Sequence, residues 1–176
     1  MYPYFRMVKE IVRQNFLKTI QLSEVHTYYT LCWPGDLDPW RELNNGRTLT
    51  LYDLGRISHL IRSGLKNKIM AKGWRFTVAG SSIPYRKRIT VFNLLKVNTR
   101  LLGWDERFLY FQQSMWHKNN PVSSILIRSA VTDTNGIVES ERFLKAVDYN
   151  GPKLNLPKWV IDWSKAESLR TWPPEI

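Results

Sequence analysis

Residues 34–47 read Pro-Gly-Asp-Leu-Asp-Pro-Trp-Arg-Glu-Leu-Asn-Asn-Gly-Arg, so two carboxylates, Asp36 and Asp38, and an asparagine pair, Asn44 and Asn45, share one loop. The loop runs into an apolar stretch, Asn45 to Gly64, that carries Leu49, Leu51, Leu54, Ile57, Leu60 and Ile61. These apolar residues fall on more than one face, which predicts a helix largely wrapped by other structure. A helix N-terminus offers N–H groups without intrahelical acceptors and a partial positive charge. It can therefore hold a carbonyl oxygen on which negative charge is building. A carboxylate in the preceding loop can attack that carbonyl or activate a water molecule. One short segment thus contains both halves of an acyl transfer. The same residue types also serve as helix caps and turn formers, and on residue type alone that is their commoner role.

Other chemistries find less support. His26, His59 and His117 are scattered and lack the serine or cysteine context of a triad, which makes core or surface positions their default. Ser81 and Ser82 follow Gly80, but no G-x-S-x-G elbow is present. Cys32 is the single cysteine, so there is no internal disulfide, a reducing compartment is the natural setting, and no Cys/His cluster has the spacing of a metal site. Asp53 lies among apolar helix positions with Arg47 and Arg56 within reach, which favours a structural ion pair.

Charge is the unusual feature of the composition. Lys and Arg total 26 against 15 Asp and Glu, a formal net charge of +11, which suits an anionic partner such as nucleic acid, an anionic membrane surface or a phosphate-bearing ligand. Tyr85-Arg86-Lys87-Arg88 concentrates three of these cations beside an aromatic ring and could grip phosphates, arginine being suited to bidentate contacts. No nucleic-acid motif surrounds the run, and nucleic acid is the least supported partner. A solvated basic loop is the commonest fate of such a run. The N-terminal segment sets Phe5, Val8, Ile11, Val12 and Phe16 at helical spacing, interrupted by Arg6, Lys9, Arg13 and Lys18. This predicts an amphipathic helix docked on its own domain or on a partner subunit, with contact to an anionic membrane as the alternative.

The remaining pattern determines what holds the loop in place. Val25 to Trp33 reads as a strand ended by Pro34-Gly35, and four further strand-like runs follow the long helix: Trp74 to Val78, Leu95 to Leu101, Phe108 to Trp116 and Val122 to Thr132. Glu139 to Val147 reads as a short helix, and a Pro- and Trp-rich tail from Gly151 carries a short helix with Ser164 as its N-cap. At 176 residues the chain fits one domain. A meander must cover one face, and the long helix is the only large apolar body available, so the expected class is α+β with an antiparallel sheet wrapped around one central helix. The expected layout is an N-terminal amphipathic helix over 1–22, the main domain over 23–150, and a tail over 151–176 packed on it.

With this element order, the loop resembles the hot-dog thioesterases, the 4-hydroxybenzoyl-CoA thioesterase-like family, whose motif reads D-x-D-x-x-x-H-x-N-N before the central helix. Asp36, Asp38, Asn44 and Asn45 fall on that pattern without a gap, and Gly46-Arg47-Thr48-Leu49 with Asp53-Leu54-Gly55-Arg56 looks like the thioesterase-superfamily-member-six-like branch. The similarity covers roughly Val25 to Val147. It implies a hot-dog fold, acyl-CoA substrates of fatty or aromatic type, no cofactor beyond the coenzyme A of the substrate, and a site shared by the two subunits of a homodimer or a dimer of dimers. It implies Asp38 as the catalytic carboxylate, with backbone N–H groups near Asn45 and Gly46 receiving the thioester carbonyl. Asn44 and Asn45 would order the loop, Asp36, Trp40 and Asn44 would touch substrate, and Arg86, Lys87 and Arg88 would hold the phosphates. The protein is expected to be cytoplasmic, with peripheral contact to the inner face of a membrane open to the basic N-terminal helix. Two departures stand out: Glu42 occupies the position of the motif histidine, and Thr48 that of a common tyrosine. The histidine departure favours the alternative of a non-catalytic acyl- or lipid-binding protein.

Overall fold

The alternation along the third strand-like run survives in three dimensions. In the structure, a computed structural model describing residues 2–171 and 173–174, strand β3 (Leu94–Trp104) buries Leu95, Val97, Thr99 and Leu101 and turns Lys96, Asn98 and Arg100 outward. Met1 of the expected N-terminal segment, and Trp172, Glu175 and Ile176 of the expected tail, lie outside the described residues. β3 lies between β1 (His26–Leu31) and β4 (Leu109–His117); β4 pairs with β5 (Asn120–Asp133), and β5 with β2 (Arg75–Ser82). All pairings are antiparallel, and the short β6 (Gly136–Val138) adds to β5.

Helix α2 (Asn45–Arg62) leaves β1 and lies across the inner face of the sheet, where Leu51, Tyr52, Leu54, Gly55, Arg56, Ser58 and His59 are buried. The sheet curls around this helix in the hot-dog arrangement. The two meet closely at Gly55: a Cβ there would lie 3.1 Å from Val97 Cγ1 and 3.2 Å from both Gln113 Nε2 and Thr99 Oγ1. Gln113 belongs to a buried network in which its Nε2 donates to the Tyr52 carbonyl and Thr99 Oγ1, both at 2.8 Å, and Arg56 Nη1 donates to its Oε1 at 2.8 Å. Gly55→Ala is therefore expected to destabilise the fold by about 1–2 kcal/mol, the strain of displaced neighbours exceeding the gain in helix propensity. Urea unfolding of the variant checks this, and a variant at least as stable as wild type refutes it.

Several local readings change. Gly64 does end α2, in the left-handed region at φ +73, but the chain resumes at once as α3 (Leu65–Ala71), which buries Leu65 and Ile69 one turn apart. Gly103 sits at a bulge inside β3, with Leu156 lying where its Cβ would be. The turn falls later, where Asp105 Oδ1 accepts from the N–H groups of Arg107 and Phe108 at 2.9 and 2.7 Å. α4 spans Ser140–Ala146. The tail helix α5 (Lys158–Ser168) begins after Pro157, and Ser164 lies within it, its hydroxyl 2.9 Å from the Tyr110 phenol. Burial of Val160 against Tyr110 and Leu126 on the outer face of the sheet places this helix.

α1 (Tyr4–Asn15) does dock on the domain, but with its polar side inward: Glu10 and Gln14 are its buried residues. Arg6 donates to Asp36 at 2.7 Å, and the Tyr2 phenol donates to Asp53 at 2.7 Å.

Candidate functional site

The loop between β1 and α2 folds as a small closed hairpin. Leu37 bridges to Leu43, the Asp38 N–H donates to the Glu42 carbonyl at 2.8 Å, and the Arg41 N–H donates to the Asp38 carbonyl at 3.0 Å. Arg41 completes the turn in the left-handed region at φ 62. The half-buried Asp38 directs its carboxylate into this turn, Oδ1 accepting from the N–H groups of Trp40 at 2.9 Å and Glu42 at 3.1 Å. Both bonds fall on Oδ1. Trp40 projects from the tip with 79% of its surface exposed.

Asp36 has a different role. It is buried, its Oδ2 accepts from Arg6 and from the Trp33 N–H, and its Oδ1 lies 3.1 Å from Arg47. The first carboxylate of the pair thus ties α1, the loop and the first turn of α2 together. Asn44 is the N-cap of α2, its Oδ1 accepting from the Arg47 N–H at 3.2 Å. This arrangement leaves the N–H groups of Asn45 and Gly46 at the exposed start of the helix, where helical geometry supplies no acceptor. Asp53 pairs with Arg56 at 2.7 Å, the ion pair expected of it.

The loop that follows β2 reaches this helix terminus. Glu42, Leu43, Asn45 and Thr48 form one wall of a cleft of about 260 Å³, and residues 85–89 with Ser123 form the other. Arg86, Lys87 and Arg88 therefore share a hollow with Asn45, although some forty residues separate them in sequence. Backbone bonds hold the run there: the N–H groups of Arg86 and Lys87 donate to the Val122 carbonyl at 2.9 and 3.1 Å, and the Leu43 N–H donates to the Ile89 carbonyl at 2.9 Å. Glu42, which stands in place of the motif histidine, pairs with Arg88 at 3.0 Å and so latches the basic run to the acidic loop. Lys87 Nζ donates to Asn120 Oδ1 at 2.9 Å.

Asp38 and Trp40 are not among the residues of this cleft wall; Asp38 is tied to it through the Glu42 N–H, which donates to its Oδ1. Asp36, Asn44 and Gly46 line a second hollow of about 400 Å³ on the other flank of the helix terminus. Sequence reasoning missed Thr48 and Ser123 as cleft residues. Ser123 is brought in by a long-range contact with Tyr52, their hydroxyls 2.8 Å apart, which carries no local signal.

Other reactive groups are withdrawn from chemistry. Burial, and secondarily the negative charge of Asp36, pushes the Cys32 thiol up to about 11, so it stays protonated at neutral pH. His26 and His59, scattered in sequence, are stacked in the core with centroids 6.1 Å apart, and neither lines the cleft. Among the described residues, no group of three or more His, Cys, Asp or Glu side chains could hold a metal ion, and no helix is long and apolar enough to cross a membrane.

Comparison with known proteins agrees with this architecture. The Xenopus laevis protein THEM6 is 30% identical over 150 residues, a match covering 82% of this chain and 69% of the frog protein. Drosophila melanogaster THEM6 is 30% identical over 99 residues, 56% of this chain and 51% of the fly protein, so the match spans about half the length of that relative. Among solved structures, a 1,4-dihydroxy-2-naphthoyl-CoA thioesterase from Synechocystis superposes with a TM-score of 0.62 at 13% identity, covering 73% of this chain and all of that one. A Staphylococcus aureus protein solved in complex with CoA gives a TM-score of 0.60 at 9% identity, covering 81% of this chain and 96% of its own. At such identities the superpositions speak for the fold. The family model of the thioesterase-like superfamily matches residues 32–163, well over half the sequence, and the chain therefore belongs to that superfamily and carries its hot-dog fold.

Proposed function

We propose that the protein hydrolyses the thioester of a fatty or aromatic acyl-CoA, at a site completed by a second copy of the chain. The observation that carries this reading is the cleft itself, in which the N-terminus of α2 and three cations face one hollow. A thioester carbonyl placed at the Asn45 and Gly46 N–H groups would have its developing negative charge met by the helix terminus. Asp38 then acts on the carbonyl carbon, directly or through a water whose proton it takes. The carbon–sulfur bond breaks and the sulfur leaves as thiolate and takes up a proton; water supplies the second carboxylate oxygen, either as the attacking nucleophile or by hydrolysing the acyl–Asp38 anhydride, and the acyl group leaves as carboxylate. Arg86, Lys87 and Arg88 would hold the phosphates, and Trp40 offers an exposed ring to the ligand or the partner subunit. Superfamily membership and the CoA-bound structure of the same fold support this assignment.

The need for a second copy follows from β2. It ends the sheet opposite β1, pairs only with β5, and exposes most of its residues, including Val78. An edge of that length with open N–H and carbonyl groups is a template for pairing, and the chain leaving it leads straight to residues 85–89 of the cleft. An isologous pair through β2 would bring the partner against the open side of the site.

The test is to offer the purified protein a panel of acyl-CoA esters and measure thiol release. The double substitution Arg86→Ala/Lys87→Ala is expected to raise KM for the best acyl-CoA about tenfold. The same variant should leave KM for the matching acyl-pantetheine, which lacks the nucleotide phosphates, unchanged. Equal effects on both substrates would show that these side chains do not bind phosphate. Glu42 favours a second reading: with its carboxylate spent on Arg88, no group occupies the role of the motif histidine, and the cleft would hold acyl-CoA without cleaving it. Retention of intact acyl-CoA by the purified protein, with no thiol released, would establish that reading instead.

A further inference from the structure

We infer that the outward face of α1 docks on an anionic lipid bilayer, an inference independent of the enzymatic reading. The helix is turned inside out. Apart from Met7, partly buried against the core, its inward side is polar: Glu10 and Gln14 are 4% and 2% exposed, Gln14 Nε2 donates to Glu10 at 3.1 Å, and Arg6 is bound to Asp36. With α1 locked in this rotation, Phe5, Val8, Val12 and Phe16 fall within one arc of the helical wheel on the opposite side. Phe5 and Phe16 are 84% and 85% exposed, and Val8 and Val12 about half. A ridge of four apolar side chains at such spacing is not the scattered exposure normal for a surface.

Charge selects the occupant. Lys9, Arg13 and Lys18 are exposed beside the ridge, and the only acid among the first twenty residues is the buried Glu10. Among the described residues, the accessible surface of this segment therefore carries cations and apolar groups with no acid, the composition of a helix that lies in a bilayer interface among acidic headgroups. Phe5 also walls a groove of about 490 Å³ shared with Tyr29, Leu31 and Trp33, which extends the apolar surface onto the β1 end of the sheet. That end is opposite the free β2 edge, so a dimer formed through β2 leaves the ridge open.

The experiment is co-sedimentation of the full chain with vesicles of phosphatidylcholine alone or with three parts in ten of phosphatidylserine, at low and high salt, alongside sedimentation velocity without lipid. Wild type should pellet with the serine-containing vesicles, and less so as salt rises. Phe5→Ser/Phe16→Ser should lower its partition coefficient by about tenfold or more, the effect of removing two inserted rings. Val8→Ser/Val12→Ser should act in the same direction and Lys9→Glu/Lys18→Glu should remove the preference for serine lipid, each with unchanged circular dichroism and oligomeric state. Wild type remaining in the supernatant, or ridge variants that bind like wild type, would overturn the inference. So would ridge variants that shift the protein to a smaller species in solution, since the ridge would then be an interface between copies.

Discussion

Asp38→Asn is expected to lower kcat/KM for the best acyl-CoA at least a hundredfold while leaving the fold intact. The amide oxygen of asparagine can accept from the Trp40 and Glu42 N–H groups as Asp38 Oδ1 does, so the turn keeps its two bonds. What disappears is the negative charge and the capacity to take a proton or attack a carbonyl, a contribution typically of two to four orders of magnitude. The neighbouring carboxylate should behave oppositely. Asp36 is buried between Arg6 and Arg47, and neutralising it leaves those charges uncompensated, so Asp36→Asn should lose stability before it loses intrinsic turnover. Thiol release and urea unfolding, measured on both variants, separate the roles. Undiminished turnover in Asp38→Asn would remove that residue from the chemistry and leave it a turn former only.

Acid is expected to unfold the protein through His26 and His59. Both side chains are fully buried, their rings are stacked, and no ring nitrogen meets a partner at ordinary hydrogen-bond geometry among the described residues, the Glu24 carbonyl giving His59 only weak support. Burial drives the His26 imidazole down to about 4, helped by the positive charges of Arg62 and Arg13. It drives His59 to about 3, helped by His26 and Arg62 and opposed only in part by the Glu24 carbonyl. The unfolded chain protonates these rings near pH 6.5, so between there and the folded values the unfolded state binds more protons and stability must fall as pH falls. Each histidine contributes up to about 1.4 kcal/mol per pH unit once its unfolded form is protonated, so the pair removes about 4 kcal/mol between pH 6.5 and 4.5, a large part of the stability of a small domain. Urea midpoints of wild type should drop steeply across this window. Those of His26→Phe/His59→Phe, whose rings fill similar space without titrating, should drop far less. Parallel curves for the two proteins would show that other groups control the acid limb.

The acidic loop and the central helix were legible because their signals are local. Asp-Leu-Asp-Pro dictates a turn, Asn44 caps the helix that its neighbours begin, and the sheet strands announce themselves through alternation, as in Val97, Thr99 and Leu101. α3 was not legible: Leu65 and Ile69 are one turn apart, but Gly64 before them reads as the end of the helical pattern. Ser164 misled because a serine before helix-forming residues looks like a cap, whereas here Tyr110 takes its hydroxyl and the helix begins at Lys158.

By itself, then, the sequence determined an α+β domain with a wrapped helix, a carboxylate-bearing turn before it and a strongly cationic surface, all properties of residue type and short-range spacing. Only the tertiary structure decided which faces those elements present and which distant segments meet. Periodicity specifies that α1 has an apolar side, but the Arg6–Asp36 ion pair and the buried Glu10 turn that side to the outside. Spacing gives no reason for residues 85–88 to meet the start of α2, or for His26 to stack on His59; both follow from sheet closure, which joins positions remote in the chain. Glu42 likewise acquires its partner Arg88 only when β2 delivers it, because an ion pair depends on distance in space and sequence specifies that only through the completed fold.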